Sequence, residues 1–176
     1  MLSRRIRSAG VVVLALAALM PVDLARAATI IVNGFTDESD IVTSCTLREA
    51  VQAANTNVVQ SGCDGGSAGP DTIQLSAGTY TLTAEGDDPA MTADVTAGDL
   101  DVTEDVTIVG AGAESTTIRW GSSVSDPDRV FDVSGSGTDL TLSGVTISHG
   151  DTDELGAGGG AVRTGPGTVS SSRMQS

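Results

Sequence analysis

The 176-residue chain contains no lysine, one histidine, one tryptophan, one tyrosine and two phenylalanines. Each scarcity excludes something. With no lysine and only nine arginines against 23 acidic residues, the formal net charge is −14. Such a chain repels nucleic acid, whose binding rests on cationic side chains neutralising phosphates, and repels anionic membrane surfaces for the same reason. Aromatic residues make up 2% of the chain, too few for a wide globular core, which normally draws much of its buried area from large rings. A narrow core of valine, isoleucine and leucine does not need them. The lone histidine, His149, stands between the apolar Ile147 and Gly150 with no serine or cysteine nucleophile motif to accompany it. It reads as a turn residue rather than a general base.

Long apolar runs are also scarce. The one candidate, from Ala9 to Met20, is shorter than the roughly 20 residues a bilayer requires. Arg4, Arg5 and Arg7 precede it, Pro21 ends it, and Ala25-Arg26-Ala27 supplies a small-x-small cleavage site. Residues 1–27 are therefore expected to be a secretory signal peptide, cleaved near Ala27-Ala28, rather than a membrane anchor. Four of the nine arginines and one of the 23 acids fall in this segment, so the remainder carries five basic and 22 acidic groups, a net of −17.

Two cysteines, Cys45 and Cys63, lie in the exported part. A disulfide between them is the simplest reading in an oxidising compartment. It would close a loop of about 17 residues, which the chain-entropy model values at roughly 3 kcal/mol. Two free thiols are the alternative. No histidine lies nearby to make them a metal site.

One helix is legible. Thr46-Leu47-Arg48-Glu49 has the form of a capping box, with Thr46 as N-cap and Glu49 reaching back. Leu47, Ala50, Val51 and Ala54 then fall on one apolar stripe, and Asn55 is a plausible stop. About nine residues long, this helix must lay its stripe on an apolar surface to be stable. Elsewhere the apolar period is two. Short strands are expected at 29–33, around Ile73 and Leu75, Tyr80 and Leu82, Leu100 and Val102, Val106 and Ile108, at 116–120 and 129–133, and around Leu140, Leu142, Val145 and Ile147. Gly-rich turns separate them; the 22 glycines are about 12% of the chain against a usual ~7%. DLDVTEDVTIVGAG (99–112) and DLTLSGVTISHG (139–150) resemble each other at an offset of about 40 residues. Two coils of about 20 residues each would produce that offset and suggest a solenoid; an antiparallel sandwich with regular turns is the alternative.

CTLREAVQAAN (45–55), DTIQLSAGTYTLT (71–83), GDLDVTEDVTIVGAG (98–112), RVFDV (129–133) and LTLSGVTISHG (140–150) occur in one order that resembles the CSLREA module of bacterial exported proteins. The resemblance runs over about residues 29–163. It implies a mainly-β fold, a right-handed parallel β-helix (a solenoid of pectate-lyase-like architecture) with an N-terminal amphipathic capping helix. Residues 28–70 would be the capping segment and 71–176 the coils. GGGAVRTGPG (158–167) looks like the start of a further coil, after which TVSSSRMQS loses the alternation, so a truncated product is expected. The module's members are secreted or surface-exposed, which implies a location outside the cell or on the outer membrane. The implied partners are extracellular polysaccharide or a host or cell-surface protein.

No catalytic and no metal-ligating residue is expected. Enzymes on the implied fold use an arginine or lysine base with Asp-bound calcium. Arg119, Arg129 and Arg163 are the candidate bases, and Asp87, Asp88, Asp94, Asp99, Asp101, Asp126, Asp128, Asp151, Asp153 and Glu154 the candidate ligands. No spacing resembles a calcium loop, and the acids read as a solvated surface, with Arg129 pairing with Asp128 or Asp132. No cofactor is expected, with calcium as the alternative that the acids leave open. Trp120 and Tyr80 read as packing rather than as a sugar-stacking platform. The reading is therefore a non-catalytic exported or surface β-helix module, adhesin-like or structural, with a uronate lyase or hydrolase as the alternative.

Overall fold

The computed structural model describes residues 26–37, 43–85, 95–121, 129–150, 161–165 and 167–172. The core of the expected signal peptide and the acids Asp87, Asp88, Asp94, Asp126, Asp128, Asp151, Asp153 and Glu154 lie outside them. The elements are β1 (Thr29–Val32), α1 (Leu47–Thr56), β2 (Asp71–Leu75), β3 (Gly78–Leu82), β4 (Leu100–Val102), β5 (Val106–Val109), β6 (Thr116–Trp120), β7 (Phe131–Val133), β8 (Asp139–Ser143), β9 (Thr146–Ser148), β10 (Val162–Thr164) and β11 (Thr168–Ser172). No helix among the described residues is long and apolar enough to cross a membrane.

The fold is mainly β. The strands form three sheets, ordered β1-β2-β5-β8-β11, β3-β6-β9 and β4-β7-β10, and every pairing within them is parallel. From β2 to β10 the chain visits the three sheets in the same rotation three times, then returns to the first with β11. Neighbouring strands of one sheet thus come from successive rounds, a connection too long for hairpins.

Register explains the sparse core. Ile30 pairs with Ile73, Ile73 with Ile108 and Ile108 with Leu142, and all four are fully buried. Because side chains alternate across a strand, the intervening positions form a second ladder on the other face, Thr29-Thr72-Thr107-Thr141-Ser170. Tyr80, Ile118 and Ile147 make the equivalent apolar row in the second sheet, and Leu100 with Phe131 and Val102 with Val133 do so in the third.

The phase of the rounds differs from the expected one. Asp71 pairs with Val106, Val106 with Leu140 and Leu140 with Val169, so rounds are 35, 34 and 29 residues long, not about 20. The two similar stretches at 99–112 and 139–150 do not occupy equivalent places: 100–102 is in the third sheet and 139–143 in the first. Strand–turn–strand chemistry is alike at each corner of a round, and its recurrence does not report the period. TVSSS, expected to fall outside the repeat, is β11. Backbone pairing with β8 makes it a strand, although a run of serines carries no apolar alternation to announce one.

Replacing Ile108 by alanine is expected to cost about 2–4 kcal/mol in urea unfolding, whereas Thr107→Ala, one position away on the opposite face, should change stability by less than about 0.5 kcal/mol. Equal costs would contradict the register.

Candidate functional site

Two constructions concentrate polar chemistry. The first surrounds α1. Glu49 N donates to Thr46 Oγ1 at 3.3 Å and Thr46 N to Glu49 Oε2 at 3.0 Å, so both arms of the capping box are made. Cys45 and Cys63 form a disulfide, with Cα atoms 4.5 Å apart, which ties the N-cap region to the loop after the helix. Leu47, Ala50, Val51 and Ala54 are at most 2% exposed and face β1, β2 and β4, against which the helix packs.

The burial extends beyond that stripe to Arg48 and Glu49, each 3% exposed. A buried arginine must place five donors, and Arg48 does so. Its Nε donates to Asp37 Oδ1 at 2.7 Å and Nη2 to Asp37 Oδ2 at 2.9 Å; Nη2 also reaches Gly98 O, and Nη1 reaches Val95 O and Asp99 O. Asp37 Oδ2 in turn accepts Thr83 N at 2.8 Å and Ala84 N at 2.9 Å. This ion pair joins the segment after β1, the helix, the end of β3 and the approach to β4. The helix runs past the expected stop at Asn55 and ends with Asn57 in the left-handed conformation, φ 58°. Asn55 instead serves the neighbouring sheet. Its Nδ2 donates to Asp101 O at 2.7 Å and its Oδ1 accepts Thr103 N at 3.0 Å. The side-chain amide stands in for a neighbouring strand along the edge of β4.

The second construction lies on the third sheet. Asp101, Asp132 and Arg163 are successive residues of one ladder. Asp99 joins them, and one oxygen of each of the three carboxylates lies within 4.8 Å of the others. Each aspartate is 1% exposed, so Asp99 and Asp101 are not the surface acids expected. Arg129 pairs with Asp99, Nε to Oδ2 at 2.6 Å, and Arg163 Nη2 pairs with Asp132 Oδ2; Asp128, one of the two partners expected for Arg129, lies outside the described residues. The hydrogen bond that Arg163 donates to Asp132 raises the pKa of its guanidinium, opposed by burial and assisted by the charges of Asp132, Asp99 and Asp101. A cation whose pKa is raised on folding stabilises fully at neutral pH and loses that contribution only in strong alkali.

The two constructions share the segment around Asp99: its carbonyl receives Arg48 and its carboxylate receives Arg129. Three carboxylates could give a cation three oxygens, fewer than the six to eight calcium takes, and two guanidiniums already stand among them. A polymer could not reach carboxylates so deeply covered.

Trp120 and Tyr80 are each 1% exposed and belong to the core. Trp120 Nε1 donates to Arg129 O at 3.0 Å, and Tyr80 packs on Phe35 with centroids 5.0 Å apart. His149 is an exposed turn residue at φ 60°. Arg119 sits in β6, half-buried, away from the acid cluster's ladder. The sequence does not single out Arg48, Asp37 or Asp71; for Arg48 the one available signal is a charged residue directly beside Leu47 and the apolar stripe of the helix. A scan against protein-family models and searches of curated proteins and of solved structures find no match for this chain.

Arg48→Met leaves the Asp37 carboxylate buried without its counter-ion and is expected to cost about 3–5 kcal/mol. Arg48→Lys should recover only part of this, because an ammonium has three donors and no fork. Urea unfolding measures both; an unaltered midpoint for the methionine variant would contradict the assigned role.

Proposed function

We propose that this chain is an exported, non-catalytic module of the CSLREA type: a right-handed parallel β-helix, closed at its N-terminal end by α1, that serves as an adhesin-like or structural element outside the cell. The observation that carries the reading is the rotation of the chain through three parallel sheets, with like residues in register from round to round. A solenoid needs terminal caps, because its first round would otherwise present bare strand edges and an open apolar core. The placement of α1 against β1, β2 and β4 suits it to that role. Parallel strands joined by crossovers are nearly always right-handed, which supports the hand. Loss of residues 1–27 would leave a net charge of −17, suited to a solvated exterior part.

The alternative, a uronate lyase or hydrolase, draws support from the Asp99-Asp101-Asp132 cluster with its two arginines. Burial and the engagement of both guanidiniums weigh against it. In that constellation the charges bind the third sheet together and offer no arginine to a substrate.

Leu47→Asp should convert the secreted protein from a single species to aggregates in light scattering, by lifting the cap off the first round; an unchanged species with unchanged thermal stability counts against the cap. Incubation with polygalacturonate and calcium should yield no unsaturated uronate. Product formation that Arg129→Ala abolishes would establish the enzyme reading instead.

A further inference from the structure

Asp71, the first residue of β2, is 2% exposed. Its Oδ1 accepts Ala28 N at 2.9 Å and Ser67 Oγ at 2.7 Å, and its Oδ2 accepts Ser67 N at 2.9 Å. Among the described residues no arginine or histidine forms an ion pair with it. The loop comes this close only because residue 66 is glycine: a Cβ there would stand 2.4 Å from Asp71 Oδ2 and 2.7 Å from Ala53 O. The other end of Ala28 is held too, since its carbonyl accepts Thr72 N at 2.9 Å. Arg26 and Ala27, just before it, are exposed. A buried carboxylate thus accepts two backbone nitrogens, Ala28 N and Ser67 N, and the first of them follows the expected cleavage point.

We propose that Asp71 is the receptor for the chain's own new amino terminus, so that removal of the signal peptide completes a buried ion pair at the start of the first sheet. This rests on the proposed export of the chain. Hydrolysis of the Ala27–Ala28 bond by a signal peptidase consumes one water: its oxygen goes to the Ala27 carbonyl carbon, giving a carboxylate, and the Ala28 nitrogen leaves as an ammonium. The neutral amide donor at 2.9 Å from Asp71 Oδ1 becomes a cation in the same place. Buried carboxylates require a counter-charge, and a charge-assisted hydrogen bond is roughly twice as strong as a neutral one. The precursor lacks that charge and the mature chain has it, so cleavage strengthens the β1–β2 junction.

The composition makes the test clean. With no lysine in the sequence, the amino terminus is the only primary amine of the mature protein. The secreted protein is purified and its first residue read by mass spectrometry. It is then unfolded with its disulfide intact, acetylated at the amine, refolded and melted beside an untreated sample carried through the same steps. A second pair of samples begins one residue earlier, at Ala27. The expected first residue is Ala28, and acetylation should lower Tm by at least about 3 °C. Acetylation of the Ala27-started chain, whose ammonium is displaced from Asp71, should have less than a third of that effect. Asp71→Asn, where it folds, should abolish the acetylation effect. A secreted chain with another first residue overturns both the cleavage placement and this inference. A chain that begins at Ala28 but melts alike with and without acetylation leaves the export reading standing and overturns the ion pair.

Discussion

The first round of a parallel stack has no predecessor, and its strand edges carry backbone donors and acceptors that must be met by something other than a strand. In this protein the answer is distributed over a few polar side chains. Arg48 satisfies five donors at once and converts Asp37 into a partner for Thr83 N and Ala84 N at the end of β3. Asn55 supplies one donor and one acceptor to β4. The apolar face of α1 covers the core beneath. The capping box and the Cys45–Cys63 disulfide fix the helix at the angle these contacts need. A buried ion pair is weak evidence for net stability, since desolvation offsets much of the attraction. Its contribution here is geometric: the five donors of Arg48 are met only while the helix lies against Asp37 and residues 95–99.

The same economy governs the third sheet. Stacking in register brings like residues together, which suits isoleucine over isoleucine and threonine over threonine but sets Asp101 directly beside Asp132. Like charges at that spacing repel strongly in a low dielectric. Arg129 and Arg163 offset this by pairing with Asp99 and Asp132. A chain with no lysine relies on arginine, whose planar fork suits carboxylates, and three of the arginines after residue 27 are committed to such pairs: Arg48, Arg129 and Arg163. The charges tie the segments before α1, before β4 and before β7 into one network.

Local signals are legible in the sequence and long-range ones are not. The capping box and the apolar stripe depend on residues three and four apart, and the strands from Thr29 to Ser148 on alternation within a few residues. The cysteine pair is legible because the chain has only two cysteines, and the two form a disulfide. The length of a round is not legible, because each corner repeats the same strand–turn–strand chemistry, and the apparent repeat aligns β4 with β8 across different sheets. Asp99 and Asp101 read as surface acids because nothing within ten residues places Arg129 or the helix over them. Arg48 escapes notice for the same reason, its partners standing 11 and about 50 residues away. The strand character of TVSSS is imposed by β8.

Cross-strand backbone NOEs on uniformly labelled protein test the central claim most directly, because parallel stacking and hairpin pairing place different residues side by side. Parallel stacking predicts contacts from Ile73 to Ile108 and from Ile108 to Leu142, about 35 residues apart in each case. Close Hα–Hα contacts joining residues 71–75 to 78–82 as an antiparallel hairpin would contradict it.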